Sequence, residues 1–172
     1  MNLLIQLSYI ITQNGMVQAI QRTYILLKTN LTAVILIIFI GASLSAIFMN
    51  QGQMCTAGSR LLVEDKIYNE FVEKLVARAK NLKIGPADNF ETEFGPLVSV
   101  GHRDAVLKFI EKGKQEGAKL ACGGKIPDID SKGAYLEPTI FTHVRNTMSI
   151  AQEEIFGPVL CVMPFTSVEE AI

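Results

Sequence analysis

One cysteine of this chain stands in a setting that suits a nucleophile. Cys55 lies in the run 50–60, NQGQMCTAGSR, which carries no charge next to the thiol. A thiol attacks a carbonyl carbon as the thiolate, and it needs open space and hydrogen-bond donors for the oxyanion that forms. The small residues Thr56, Ala57 and Gly58 leave the sulfur uncrowded, and backbone N–H groups of a turn can face the developing charge. Cys55 is therefore the candidate nucleophile.

The cysteine pattern also leaves a simpler interpretation open. A lone cysteine is more often a small buried residue than a nucleophile, and spacing alone favours that alternative for Cys55. Cys122 and Cys161 stand in apolar runs, and we expect both to be packing residues. The three cysteines are widely spaced, and the only histidines are His102 and His143. This pattern predicts no disulfide framework and no metal site, and it fits a reducing cytoplasm.

A second candidate cluster lies about a hundred residues further along. The run 152–158, QEEIFGP, places Glu154 and Phe156 just before a Gly-Pro turn. A carboxylate has two oxygens and can accept hydrogen bonds from two neighbouring hydroxyl groups. Taken alone, however, the pair Glu153 and Glu154 is more typical of a solvated charged corner.

Together and in this order, the two runs resemble the two signatures of the NAD(P)-dependent aldehyde dehydrogenase family. The resemblance covers about residues 50–172 and extends weakly over 31–49. It implies oxidation of an aldehyde to a carboxylic acid, with NAD or NADP as the hydride acceptor. In that chemistry Cys55 adds to the aldehyde as a thiohemiacetal and then carries a thioester, which water hydrolyses.

The resemblance also implies roles for the second run. Glu154 is expected to accept hydrogen bonds from the ribose hydroxyls on the nicotinamide side of the cofactor, and Phe156 to pack near the nicotinamide ring. His102 lies near a polar cofactor-side position of the family. A lone histidine at the start of a helix is more often solvated, and we expect that for His102.

Other catalytic parts of the family have no counterpart here. The family carries its general base, a Glu in a Glu-Leu-Gly-Gly word, before the cysteine, whereas the first acidic residue of this chain is Glu64. The glycine-containing turn that binds pyrophosphate has no match in residues 1–49. Loss of general-base help lowers a rate by about 100- to 10,000-fold. We therefore expect an incomplete catalytic domain with little activity alone.

Composition limits the class of protein. The chain has 172 residues, of which 49% are hydrophobic and 19% are charged, and this predicts a globular protein with a real core. The formal net charge is −1, and lysines and arginines are scattered singly, so we expect no nucleic-acid partner. The expected ligand is a small-molecule aldehyde.

The uncharged stretch 31–49, LTAVILIIFIGASLSAIFM, has two interpretations. It is long enough to cross a bilayer as a helix, but small residues such as Gly41 and Ala42 also suit a buried helix of an α/β domain. We expect the buried helix. The alternative is a membrane-tethered, non-catalytic remnant, and a further one is a homo-oligomer or a chain docked on a complete paralogue. Residues 1–30 lack the features of a signal peptide and stay unassigned.

After this stretch the sequence alternates between strand and helix patterns. Two amphipathic helices are predicted, one capped by Asp65 and stopped at Gly85, the other capped by Ser99 and closed by Gly117. A capping box at Ser167 begins a third. Apolar runs between turn residues predict four strands, at 61–63, 120–122, 135–144 and 158–165.

This order predicts the fold class and the domain organisation. Helices that alternate with strands indicate an α/β fold with a mostly parallel sheet covered by helices. The resemblance implies that this sheet is of the aldehyde dehydrogenase catalytic-domain type and incomplete. The predicted organisation is a divergent start at 1–30 and a partial catalytic domain at 31–172, which begins with the hydrophobic helix 31–49.

Overall fold

The computed structural model describes residues 33–129 and 132–172, so the unassigned start at 1–30 lies outside the described residues. Within this part the helices are α1 (Ala33–Phe48), α2 (Asp65–Lys80), α3 (Val100–Gln115), α4 (Ser149–Gln152) and α5 (Val168–Ala171). The strands are β1 (Arg60–Glu64), β2 (Lys119–Cys122), β3 (Thr139–Thr142) and β4 (Val159–Phe165). A 3-10 turn, Met49–Gly52, follows α1 directly.

The four strands form one sheet in the order β1-β4-β3-β2. β4 pairs in parallel with both β1 and β3, whereas β2 pairs antiparallel with β3. The predicted mostly parallel sheet is therefore confirmed, and β2 is its antiparallel edge strand.

The parallel pairing of β1 with β4 decides where the two candidate runs meet. Arg60, the first residue of β1, lies opposite Cys161 near the start of β4, and the Cys161 N–H donates to the Ser59 carbonyl at 2.9 Å. The run with Cys55 directly precedes β1, and the run with Glu154 directly precedes β4. Because neighbouring parallel strands begin at the same edge of a sheet, both runs lie side by side at that edge.

Helices cover both faces of the sheet, and the strand residues alternate between the two faces as a pleated strand requires. Leu61, Val63 and Leu160 pack with α1 and α2 on one face. Leu62 and Cys161 pack with α3 and α4 on the other. The sheet is thus the shared middle layer of two apolar cores.

The hydrophobic helix predicted at 31–49 is present as α1. Its residues Leu36, Ile40, Leu44, Ile47 and Phe48 are buried against α2 and the sheet. Their spacing of three or four residues puts them on one face, so the expectation of a buried helix holds for that face. The opposite face is exposed, as the accessible fractions of 66% for Ile37 and 63% for Ile38 show. By length and composition alone, the window Ile35–Gly52 is also apolar enough to cross a membrane.

The boundaries of α2 differ from the prediction. Asp65 is the first helical residue rather than the cap, and Glu64 occupies the cap position without a side-chain capping bond. The helix ends at Lys80, before the predicted stop at Gly85. The reason is Asn81, whose side-chain amide donates to the Ala77 carbonyl at 3.0 Å and satisfies one of the last carbonyls of the helix.

The other predicted ends agree better with the structure. Ser99 caps α3 by accepting the His102 N–H at 3.1 Å, and Gly117 ends that helix with a φ of 91°. Ser167 accepts the Glu170 N–H at 3.3 Å, as a capping box requires. β3 is shorter than the predicted 135–144, because Pro138 has no N–H for the sheet and the strand begins after it.

Cys122 and Cys161 are packing residues, as predicted, with exposed fractions of 8% and 0%. Burial raises the pKa of the Cys122 thiol to about 11 and that of the Cys161 thiol to about 12, from an ordinary value of 9.0. Above pH 9, both thiols therefore remain protonated in the folded chain, whereas in the unfolded chain they lose their protons.

This difference predicts a pH dependence of stability. Below pH 9 both states hold the Cys161 proton and stability is unaffected, whereas between about pH 9 and 12 the unfolded chain loses it first. The free energy of unfolding should fall by up to about 1.4 kcal/mol per pH unit from this thiol. Urea unfolding between pH 8 and pH 10.5 should show a shallower decline for Cys161→Ala than for the parent chain. If the free energy of unfolding falls equally steeply with pH in both proteins, the raised pKa of Cys161 is contradicted.

Candidate active site

Cys55 lies in a series of tight turns between α1 and β1, and its side chain is exposed. The Ala57 N–H donates to the Met54 carbonyl at 3.0 Å. The Gly58 N–H donates to the Ala46 carbonyl at 2.8 Å, which ties the turn to the end of α1. The thiol is thus held on a fixed loop and is open to solvent, as an attacking sulfur requires.

Three successive residues before this turn have left-handed backbones, namely Asn50 at φ 50°, Gln51 at φ 56° and Gly52 at φ 72°. Residues other than glycine rarely adopt this conformation, so it must be held in place. The Asn50 side chain donates to the Gln53 carbonyl at 3.2 Å, and the Gln53 N–H donates back to the Asn50 carbonyl at 3.0 Å. The Gln53 side-chain oxygen accepts the Val98 N–H at 2.9 Å and fixes the turn to the loop before α3.

The backbones of the two candidate runs touch at Gly52. A Cβ atom at this position would lie 2.2 Å from the carbonyl oxygen of Gly157, far closer than two such atoms can approach. Glycine is therefore required at position 52 both for the φ angle and for the contact. This role was not predicted from the sequence, although the turn-forming sequence Asn-Gln-Gly could have indicated it.

The second run, residues 152–158, follows α4 and lies beside the turn that contains Cys55. Ile155 is buried, whereas Phe156 is 38% exposed and has a left-handed backbone at φ 55°. His102 donates through Nε2 to the Phe156 carbonyl at 2.7 Å, and the two rings meet edge to face at 6.4 Å. The expectation that His102 is only solvated is therefore incomplete, because it is a direct neighbour of the run.

Cys55, Glu154 and Phe156 line one shallow cleft that is open to solvent. The other lining residues are apolar or small: Ile47, Gly52, Met54, Ala57, Ser59, Ile155 and Gly157. The structure thus brings all three predicted site residues together. A small carbonyl compound can approach the exposed thiol through this cleft, and the Glu154 carboxylate can accept hydrogen bonds from hydroxyl groups of a ligand.

The two adjacent glutamates have different surroundings. Glu153 forms an ion pair with Lys112 of α3 at 2.9 Å, and the hydrogen bond to this carboxylate raises the pKa of the lysine. Glu154 instead lines the cleft. The charged-corner interpretation therefore describes Glu153, while Glu154 is the carboxylate available to a ligand.

Arg60 is a further residue that sequence analysis did not select. Only 1% of it is exposed, and its Nη1 donates to the Asn146 side-chain oxygen at 2.7 Å and to the Ala151 carbonyl at 3.3 Å. It joins the start of β1 to α4, from which the second run departs. A charged residue at the head of an apolar strand run was the available signal.

Comparison with known proteins gives consistent matches. The model of the aldehyde dehydrogenase family matches residues 36–172. Betaine aldehyde dehydrogenase from Bacillus subtilis is 52% identical over 132 residues, which make up 76% of this chain and 27% of that protein. The chain therefore spans little more than a quarter of the length of this relative.

Solved structures agree with the sequence relatives. A variant of aldehyde dehydrogenase from Bacillus cereus superposes with a TM-score of 0.79 at 42% identity, covering 88% of this chain and 30% of that one. The NAD+ complex of aldehyde dehydrogenase from the same organism gives 0.73 at 47% identity, covering 77% of this chain and 26% of that one. The described fold is thus similar to part of each of these proteins.

The contact at Gly52 predicts a sharp difference between two glycine variants. Gly52→Ala should lower the free energy of unfolding by about 2 kcal/mol or more, because the left-handed backbone and the Gly157 oxygen both oppose a Cβ atom. Gly41→Ala is the matched control, since an added Cβ there meets nothing within 4 Å in α1. It should be neutral or stabilising by up to about 1 kcal/mol. Urea unfolding measures both, and equal stability of the two variants would refute the contact.

Proposed function

We propose that this chain, which belongs to the aldehyde dehydrogenase family, forms the nucleophile side of a site that oxidises an aldehyde to a carboxylic acid with NAD(P)+. The observation that carries the proposal is that Cys55, Glu154 and Phe156 line one cleft. A cytoplasmic location, which fits the free thiols, belongs to the same proposal.

Cys55 is the proposed nucleophile. Its sulfur forms a bond to the carbonyl carbon, and the carbonyl oxygen takes up negative charge that backbone N–H groups of the turn can stabilise. NAD(P)+, when bound, supplies the acceptor for the hydride that leaves this carbon. Cys55 then holds the acyl group as a thioester until water adds to its carbonyl carbon and the thiol departs. Both steps require that the aldehyde and the water can reach the sulfur, and its exposed position meets this requirement.

Glu154 and Phe156 fit the nicotinamide half of the cofactor. The Glu154 carboxylate lines the cleft and offers two acceptor oxygens to a pair of ribose hydroxyls. The partly exposed ring of Phe156 offers an apolar face to a flat heterocycle. We propose these two residues as the cofactor-side wall and Cys55 as the substrate side.

We further propose that the 172-residue chain alone turns over little aldehyde. Hydrolysis of a thioester needs a base that activates water. No Asp or Glu precedes Glu64 in the sequence, and Glu154 is the only acidic residue among those that line the described cleft. Since Glu154 is assigned to the ribose hydroxyls, the water has no assigned base, and deacylation should be slow.

Adduct formation tests the role of Cys55 directly. Betaine aldehyde labelled with ¹³C at its carbonyl carbon should give a thiohemiacetal signal with the purified chain, because the thiol is exposed to the cleft. Cys55→Ser should lose this signal, while Cys122→Ser should keep it as the matched control. A signal that survives Cys55→Ser, or its absence from the parent chain, would count against the proposal.

Turnover is a separate measurement. Purified chain with NAD+ and betaine aldehyde should produce reduced cofactor at a rate about 100- to 10,000-fold below that of a complete aldehyde dehydrogenase assayed beside it. The readout is absorbance of the reduced cofactor, and Cys55→Ser gives the background. Steady turnover close to that of the complete enzyme would show that a base has been overlooked.

A second candidate function follows from the exposed apolar face of α1. Ile37 and Ile38 project into solvent, and such a face suits a membrane surface, a second copy of the chain or a complete paralogue. In that case the chain is a tethered or docked, non-catalytic protein. Carbonate extraction of membranes separates the possibilities: release into the soluble fraction argues against the tether, and retention in the pellet argues against a free domain.

A further inference from the structure

We propose that His102 is a positioning residue, which holds Phe156 in its left-handed conformation and thereby fixes the aromatic wall of the cleft that contains Cys55. The catalytic meaning of this wall rests on the proposed function. The positioning itself rests on the geometry of the described residues alone.

Phe156 needs a restraint from outside its own backbone. A phenylalanine at φ 55° is in a region that residues with a Cβ atom rarely occupy. The residue is 38% exposed, so burial restrains it only in part. The Phe156 carbonyl accepts the 2.7 Å hydrogen bond from His102, and the histidine ring packs edge-on against the phenyl ring. One side chain thus restrains both the backbone and the ring.

His102 is itself fixed to the cysteine turn. Its N–H donates to Ser99 at the start of α3, and the neighbouring Val98 N–H donates to the side chain of Gln53. Gln53 follows Gly52, which touches the backbone of Gly157. These contacts therefore connect the Cys55 turn, the start of α3 and the second run to one another.

The role is geometric rather than that of an acid or base. A carbonyl oxygen only accepts hydrogen bonds, so His102 must carry hydrogen on Nε2. Both the neutral Nε2–H tautomer and the imidazolium ion meet this requirement. Protonation of the imidazole therefore leaves the contact in place, and its effect on the cleft should not follow the charge of the histidine.

Removal of the contact should loosen the aromatic wall without exposing the sulfur further. Cys55 is already exposed, so a small electrophile should react with it at nearly the same rate. A bulky aromatic electrophile must share the cleft with the Phe156 ring and should gain more from a mobile wall. The ratio of the two labelling rates therefore reports the position of Phe156.

The experiment uses the full chain with iodoacetamide and N-phenyl iodoacetamide, and peptide mass analysis measures the rate constants at Cys55. His102→Ala should raise the aryl-to-small ratio about three- to tenfold, the range expected for the loss of one hydrogen bond. His102→Gln keeps a terminal N–H donor and should restore a ratio near that of the parent chain. Lys108→Ala, an exposed change on the same helix, is the matched control and should leave the ratio unchanged.

Two further variants keep the proposal testable if His102→Ala is poorly folded. Gln53→Met removes the acceptor for Val98 and should raise the ratio in the same direction. In a Phe156→Ala background, His102→Ala should have no further effect. The proposal is overturned if folded His102→Ala keeps the parent ratio, or if Ala and Gln at position 102 raise it equally. Because labelling needs no aldehyde, failure of thiohemiacetal formation would reject the proposed function and leave this inference standing.

Discussion

The backbone contact between Gly52 and Gly157 is the constraint on which the cleft depends. The parallel pairing of β1 with β4 brings the two candidate runs to the same edge of the sheet, but strand pairing alone leaves them about 5 Å or more apart. The missing Cβ at position 52 allows the closer approach, and a left-handed backbone there turns the chain toward Cys55. The sheet therefore brings the two runs to the same edge, and the glycine at position 52 allows their backbones to come into contact.

Residues of the same type have different surroundings in this fold. Three thiols occur in the chain, but Cys122 and Cys161 lie in the sheet with raised pKa values, whereas Cys55 stands on an exposed turn. The adjacent acids are both exposed and differ in their neighbours, since Glu153 is paired with a lysine and Glu154 lines the cleft. The position in the fold thus gives identical side chains different access to solvent and different partners.

The sequence was sufficient for features that depend on local pattern. Short apolar runs between charged or turn residues located β1 and β4, and apolar spacing of three or four residues located α2 and α3, because both patterns reflect burial. The resemblance of the two runs also selected Cys55, Glu154 and Phe156, which the fold brings into one cleft. Their catalytic and cofactor roles stay predictions.

Features that depend on contacts between distant residues were not predicted. The bond from His102 to the Phe156 carbonyl joins residues 54 positions apart, and the Arg60 bond to Asn146 joins residues 86 positions apart. Such pairs leave no periodic pattern in the sequence, so a histidine near the start of a helix is predicted to be solvated.

The most direct test of the account cross-links Cys55 in a Glu154→Cys variant with a short bismaleimide, with Glu73→Cys on α2 as the control. The account predicts an intramolecular Cys55–position 154 link as the main product and none to position 73. Equal cross-linking of both positions, or none to position 154, would contradict it.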